Sequence, residues 1–452
     1  MIGGYGTQMK KISIIILGAG KGTRMKSNLS KVLHKIANLS MIEHVIYGAL
    51  NLKPDEINIV ISEEMGQEVQ NDLKLKYPNL HFTIQKERLG TGHAVKMAVE
   101  NSKINPDISL VLYGDTPFIA KETLENILNN SQENDVSVLA FNAKDPASYG
   151  RLVTKGNSLE KIVEFKDATD EEKKITLCNS GVMAINGHQV NDLLAKIGNN
   201  NASQEFYLTY IVDIAKNQNL KCSFIKCCED EVLGVNSKIQ LAQAEKIFQN
   251  KVRNKMMKNG VTLIDPESVY FSFDTKIAND VIIQPSVVFG PNVNIDSDVE
   301  IKSFSHIEGA KISKNAVIGP FARIRPGSNL AENVKIGNFV EVKKSNIASG
   351  AKINHLSYVG DANIGQNSNI GAGTITCNYD GYNKFQTNIG ENVFIGSNSA
   401  LIAPINISSN AMIAAGSVIT KDVAIGDLAI SRSKQMVLKD GSLKFQNRAK
   451  KK

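Results

Sequence analysis

Tryptophan is absent from the 452 residues, and no apolar run approaches the roughly 18–20 residues that a membrane-spanning helix needs. The longest early run, residues 12–17, is too short for a signal-peptide core and leads straight into Gly18-Ala19-Gly20-Lys21-Gly22-Thr23-Arg24. A cytoplasmic protein without membrane insertion is therefore expected. Residues 1–10 read as an extension, with Met9 as an alternative start. The five cysteines (Cys178, Cys222, Cys227, Cys228, Cys377) form an odd count with neither disulfide nor zinc-ligand spacing, so reduced thiols are expected. No helix-turn-helix or RNA-binding signature is present, and basic residues are dispersed apart from Arg448-Ala449-Lys450-Lys451-Lys452. The net charge of +7 points to anionic ligands without deciding between phosphates and nucleic acid, and it is the missing signatures and the dispersed basic residues that speak against nucleic acid.

What the chain does contain divides it in two. The length suits two or three domains. In the first half, short apolar runs at 12–17, 57–61, 82–84 and 108–113 alternate with helix-like stretches such as 41–50 and 93–101. That alternation predicts an α/β domain with a mostly parallel, Rossmann-like sheet. Good helix formers follow Ser237 as far as Met257, with Gly260 just beyond. The expected division is thus a first domain over 1–235, a linking helix over 236–257 and a second domain over 258–452.

From Val281 the period becomes six. Val281, Val287, Val293 and Val299 are evenly spaced, and Ile312, Ile318, Ile324, Leu330, Ile336 and Val342 form a second run. Ile347, Ile353 and Val359 follow, then Ile364 and Ile370, and finally Ile395, Leu401, Ile407, Ile413 and Ile419. A helix buries residues at a period near 3.6 and a strand at 2, so neither selects every sixth position. Hexapeptides of this kind predict a β-helix in which each strand sends one aliphatic side chain inward. Residues 371–391 interrupt the pattern with Asn, Tyr and Asp, and such an insertion on a rigid solenoid is a natural binding element.

The first strand ends in Leu17-Gly18-Ala19-Gly20-Lys21-Gly22-Thr23-Arg24-Met25. Alternating glycines let backbone N–H groups approach phosphate oxygens, and Lys21 and Arg24 add positive charge. The segment is neither a P-loop nor a G-x-G-x-x-G dinucleotide fingerprint. With Leu89-Gly90-Thr91-Gly92-His93-Ala94, Tyr113-Gly114-Asp115, Tyr149-Gly150-Arg151, Glu164-Phe165-Lys166-Asp167 and Gly234-Val235-Asn236, it resembles the nucleotidyltransferases that activate sugar 1-phosphates. Taken with the hexapeptide half, residues from about 10 to about 432 resemble a bifunctional bacterial family. Its members fuse an N-acetylglucosamine-1-phosphate uridylyltransferase to a glucosamine-1-phosphate N-acetyltransferase.

The resemblance implies roles position by position. Leu17, Gly18, Ala19, Gly20, Gln85, Gly90 and Thr91 would contact the nucleotide, with Arg24 and Lys31 clamping phosphates. Asp115 and Asn236 would hold Mg²⁺ through oxygen donors, as a hard cation requires. Tyr113, Gly150, Glu164, Asn179 and Asn236 would hold the amino sugar. Gly18 stands where the family has Ala, and Ser30 precedes Lys31 where it has Pro. In the second half the segment Asn354-His355-Leu356-Ser357-Tyr358-Val359-Gly360-Asp361 matches the family's catalytic stretch. His355 is then the base that deprotonates the sugar amine, a task suited to imidazole, and Glu341 is the carboxylate expected to orient it. Arg325, Lys343, Tyr358, Asn369 and Lys384 match the sugar-phosphate site. Asn378, Tyr379, Ser397, Ala415 and Arg432 match acetyl-CoA contacts, with Ala372 beside them. Past Arg432, Ser433-Lys434 replaces the family's Val-Pro. A left-handed coil and a homotrimer with acetyl sites between subunits are also implied, the hand running against the usual crossover rule.

The expected substrates are UTP, N-acetylglucosamine 1-phosphate, glucosamine 1-phosphate and acetyl-CoA. Cys377 opens a rival route through an acetyl-thiol intermediate, which is disfavoured because a free amine attacks a thioester directly. Two other readings fit parts of the chain. A monofunctional UDP- or ADP-sugar pyrophosphorylase with an oligomerising β-helix would need neither His355 nor the Asn-Tyr-Asp insertion. A regulatory scaffold would have lost Lys21, Arg24, Asp115 and Asn236.

Overall fold

The computed structural model describes residues 10–146 and 148–450, so the extension before Lys10, Met9 included, lies outside the described residues, as do the last two lysines of the basic tail. The chain divides into two compact units, Met1–Phe248 and Gln249–Lys452. The division falls inside one continuous helix, Lys238–Lys258, which the sequence placed as a linker between domains.

In the first unit nine strands form one sheet: β1 (Ile12–Leu17), β2 (Glu56–Ile61), β3 (Leu80–Ile84), β4 (Ile108–Tyr113), β5 (Val136–Asn142), β6 (Arg151–Lys155), β7 (Ser158–Val163), β8 (Leu177–Asn186) and β9 (Cys222–Cys227). Their order is β3-β2-β1-β4-β8-β5-β9-β7-β6. The pairings from β3 to β4 are parallel, as the apolar runs predict. Beyond them β8 runs antiparallel to both β4 and β5, and the β6–β7 hairpin closes the edge, so half of the sheet is mixed. Runs such as Ile14-Ile15-Ile16 are buried on both faces because helices cover both sides of the sheet. The helix Met41–Leu50 starts at a capping box in which Ser40 and Glu43 satisfy each other's backbone N–H groups. After β1, the chain places β2 on one side and β4 on the other. The carboxyl ends of β1 and β4 therefore flank a topological switch point, where α/β sheets collect ligands.

The second unit is a parallel β-helix. Strands of two to four residues stack into three sheets of 10, 8 and 8 strands, all parallel. Every aliphatic residue of the period-six runs is buried. Each hexapeptide nevertheless sends two side chains inward, not one, as in Ser328 with Leu330 or Ser357 with Val359. The strand alternates its faces, so the residue two before the large aliphatic also points in, and a small side chain there leaves room for its neighbours. Val281, Val287, Val293 and Val299 occupy that second position, and Ile283, Phe289, Ile295 and Ile301 carry the large one. The interruption is shorter than the sequence suggests. Ile375–Cys377 still pairs within its sheet, and the loop that leaves the coil is 378–386.

Two outward features recur from coil to coil. On one face Asn329, Asn346, Asn363 and Asn388 each donate a side-chain N–H to the carboxamide oxygen of the next, at 2.9–3.0 Å, and the ladder ends on Asn406 and the carboxylate of Asp422. At one corner Phe304, Phe321 and Phe339 stack with centroids 4.9 and 5.1 Å apart, and Leu356 occupies the same turn in the next coil. These four bulky residues have positive φ (61°, 55°, 55° and 49°), where most other turns of the solenoid use Asn, Asp or Gly.

Candidate active sites

The nucleotide end is built at the carboxyl ends of β1 and β4. A cavity of about 800 Å³ is lined there by Leu17, Gly18, Ala19, Gly20, Lys31, Gln85, Gly90, Thr91, Tyr113, Asp115 and Asn236, all expected from the sequence. Gly22 lies in the left-handed region at φ 60°, and a Cβ on it would stand 2.7 Å from Cβ of Lys31, so only glycine lets the loop pass this close. Ser30 adopts φ −53° and ψ 138°, a conformation proline also takes, so the departure from the family leaves the course of the Lys31 segment intact.

Lys31 bridges the two expected metal ligands. Its Nζ contacts the Asp115 carboxylate and donates to Oδ1 of Asn236 at 3.0 Å, and Val235 N donates to the Asp115 carbonyl at 3.0 Å. A cation is already accommodated between two hard oxygen donors, which fits the divalent metal that nucleotidyltransferases require. Two protein oxygens suffice where substrate phosphates and water supply the rest.

The residues expected to hold the sugar cluster beside the cavity. Asn179 N donates to the Gly150 carbonyl at 2.9 Å, and the Glu164 carboxylate lies against Gly150. Burial pushes the Glu164 carboxyl above the usual carboxylate range, and a hydrogen bond from Thr209 Oγ1 at 3.0 Å partly offsets it. Burial also raises the Tyr113 phenol, whose hydroxyl meets Thr91. Arg24 is not part of this assembly. It sits exposed on the short turn Thr23–Met25.

Two contributors escaped the sequence reading. Arg88 lines the cavity and donates from Nε to the Ala19 carbonyl at 2.9 Å, pinning the glycine loop. Its place next to Leu89-Gly90-Thr91 was the available signal. The second is the strap Phe206 to Thr209. Gly92 N donates to the Phe206 carbonyl, Leu208 N to Thr91 Oγ1 and Thr209 to Glu164, which ties the loop at 90–92 to the Glu164 carboxylate. No local pattern announces it.

At the acetyl end the backbone aligns several expected residues. Gly373 N donates to the His355 carbonyl, Asn398 N to that of Ala372 and Gly416 N to that of Ser397. His355, Ala372, Ser397 and Ala415 thus occupy equivalent positions in four successive coils, and Arg432 Nη1 reaches the Ala415 carbonyl at 2.5 Å. Asn378 anchors the 378–386 loop by donating to Asp361 at 2.5 Å, and Tyr379 and Lys384 bridge across it.

Around the corner, Arg325 directly follows the strand Arg323–Ile324, which pairs with Glu341–Lys343, and the nearby Lys384 ammonium holds Lys343 below the usual lysine range. Crowded cations of this kind form a site for a phosphate dianion. Tyr358 and Asn369 are half-buried on adjoining coils. Glu341 does not meet His355. Its carboxylate accepts from Arg325 Nη1 at 2.7 Å, while Nδ1 of His355 lies 2.8 Å from Oδ1 of Asn338, a residue the sequence reading passed over. Cys377 is partly buried, and burial pushes its thiol up, away from the thiolate a nucleophile needs. His355, Ser397, Ala415 and Arg432 are all exposed on the single chain. Among the described residues no helix is long and apolar enough to cross a membrane.

Comparison with known proteins agrees with both halves. Residues 14–176 match the family described as a MobA-like NTP transferase domain. Residues 306–401 match a GMPPB C-terminal domain, and 386–421 the hexapeptide repeat of succinyl-transferase. "Bifunctional protein GlmU" of Zymomonas mobilis subsp. mobilis is 49% identical over 450 residues, covering 99% of this chain and 100% of that protein. The protein of the same name from Paramagnetospirillum magneticum is 47% identical over 440 residues, covering 96% and 97%. A third, from a Ruegeria species, is 49% identical over 423 residues and covers 94% of each. With this likeness running through both units, the chain belongs to the GlmU family of bifunctional proteins.

Proposed function

We propose that the chain acetylates glucosamine 1-phosphate with acetyl-CoA in its β-helix and then uridylylates the product in its first unit, giving UDP-N-acetylglucosamine and pyrophosphate. Cell-envelope polysaccharide synthesis in the cytoplasm would consume that product. What carries the reading is that one chain of a bifunctional family keeps both sites: the Lys31–Asp115–Asn236 cavity and the His355 column.

In acetyl transfer, His355 takes a proton from the C2 ammonium of the sugar. The freed amine attacks the thioester carbonyl, the C–S bond breaks, and coenzyme A leaves as its thiol once protonated. Arg325, Lys343 and Lys384 hold the phosphate, and Asn378, Tyr379, Ser397, Ala415 and Arg432 lie along the path for coenzyme A. In uridylyl transfer, a phosphate oxygen of the sugar attacks the α-phosphorus of UTP, and pyrophosphate departs. The glycine loop and Lys31 position the phosphates, and Glu164, Gly150 and Asn179 fix the sugar, so catalysis rests on alignment and charge. Mg²⁺ held by Asp115 and Asn236 would neutralise charge on the reacting phosphates.

The assembly is a homotrimer on this reading. The β-helix interior is filled by its own side chains, so coenzyme A must lie on the outside, and the exposed Phe304–Phe321–Phe339–Leu356 ridge runs directly into His355. A contiguous apolar ridge on a single chain calls for a covering surface, and a second copy supplies one. The test is incubation with glucosamine 1-phosphate, acetyl-CoA, UTP and Mg²⁺, with mass analysis of the products. UDP-N-acetylglucosamine is expected. Product formation only when N-acetylglucosamine 1-phosphate is supplied would leave a monofunctional pyrophosphorylase.

A further inference from the structure

The geometry points to Asn338 as the residue that orients the His355 imidazole, the place the sequence had given to Glu341. The inference rests on the reading of His355 as the acetyl-transfer base.

Asn338 and His355 are paired in register on neighbouring parallel strands, Lys335–Asn338 and Lys352–His355, 17 residues and one coil apart. Each is followed by a residue in the left-handed region, Phe339 and Leu356, and Leu356 N donates to the Asn338 carbonyl at 3.1 Å. The two side chains therefore leave equivalent backbone positions about 4.8 Å apart, the normal strand spacing. Their 2.8 Å contact follows from that frame and from no special loop. With Oδ1 accepting from Nδ1–H, the imidazole is fixed in the tautomer whose Nε2 carries the lone pair that takes the proton. Nε2 itself has no partner among the described residues, and the next coils offer only Ala372, Ser397 and Ala415 at the equivalent position.

Glu341 is unsuited to the task because its carboxylate is bound by Arg325 at 2.7 Å. A neutral carboxamide also has a chemical merit. A carboxylate on Nδ1 would stabilise the imidazolium and hold the base protonated at higher pH, whereas a carboxamide orients the ring without adding charge. Glu341 acts instead by holding the Arg325 guanidinium toward the sugar phosphate.

The test uses the full chain, with uridylyl transfer as the check on folding. Asn338→Ala should lower kcat for acetyl transfer roughly 10–100-fold, as removal of a group supporting an active-site His does, with KM for both substrates unchanged. Asn338→Asp must accept from Nδ1 and adds a charge. It should keep more activity than the alanine variant and move the acid limb of the kcat profile to higher pH by about one unit or more. A merely structural residue would not move that limb. Unchanged kcat in Asn338→Ala, an unmoved limb in Asn338→Asp, or an effect confined to KM would each overturn the inference. Full acetyl transfer in His355→Ala would instead overturn the reading beneath it.

Discussion

Replacing Phe304, Phe321 and Phe339 together by Asn separates the stability of the coil from the assembly of the chain. All three sit at positive φ, where a bulky L-residue costs about 1–2 kcal/mol and Asn is enriched several-fold. Relief of that strain is worth up to about 1 kcal/mol per site, or about 3 kcal/mol in all. The loss is two stacked pairs, about 0.5–1.5 kcal/mol each, plus some apolar contact from rings that stay 45–57% exposed. The two sides offset to within about 2 kcal/mol, so the coil of the single chain should stay folded at the assay temperature, below the melting point that association gives the parent. If the ridge is covered by a second copy, the same change puts nine carboxamides into three contact surfaces of a trimer. The particle should then fall to monomer mass by light scattering and lose acetyl transfer, while uridylyl transfer persists. A variant that keeps trimer mass and full acetyl transfer refutes the assignment of the ridge. One that unfolds refutes the offset.

Asp115→Ala should abolish uridylyl transfer and leave acetyl transfer intact in the same preparation, and an equal loss of both would make the residue structural. His355→Ala should cut acetyl transfer roughly 10²–10⁴-fold, the usual worth of a positioned base. Cys377→Ala should cost far less, and the reverse ranking would favour an acetyl-thiol intermediate. Thr209→Val removes the hydroxyl that holds the buried Glu164 carboxyl down, so that carboxyl should rise further. A lost hydrogen bond to a charged group, about 1.5 kcal/mol, corresponds to about one pH unit. The pH below which KM for N-acetylglucosamine 1-phosphate climbs should therefore move up by about that much, with KM for UTP unchanged; an unshifted profile would show that Glu164 binds sugar without Thr209. A fragment ending near Asn254 should fold and retain uridylyl transfer, and its failure when folded would show that the β-helix completes the nucleotide site.

Architecture was readable wherever one physical rule governed many residues. Val281 to Ile419 is such a case, because the coil repeats its inward positions every six residues and the spacing survives any single substitution. The existence of two inward positions per hexapeptide went unread: where the second is Ser, Ala or Thr it carries a weak hydropathy signal, and where it is Val, from Val281 to Val299, it passes for the only one. In the sheet, buried parallel strands such as Ile12–Leu17 announce themselves as apolar runs, but pairing direction beyond β4 depends on connections that hydropathy does not encode. The cavity lining came through almost whole, since glycines and a strand-end Asp sit next to the chemistry in sequence. Thr209 and Asn338 did not, because their partners lie 45 and 17 residues away and neither belongs to a local motif.

The ladder from Asn329 to Asp422 answers a problem that the core creates. A repeating Ile, Val and Leu interior is degenerate, so a nascent coil displaced by one hexapeptide would still bury its aliphatic residues. Oily contacts alone cannot tell the right stacking from the wrong one. The carboxamides sit on one face only, once per full turn of the solenoid, and each needs the next at the same height. A coil that slips by six residues moves its Asn to another face and strands two amides, one above and one below. The ladder therefore works as a counting device during winding, admitting three hexapeptides per turn and penalising two or four.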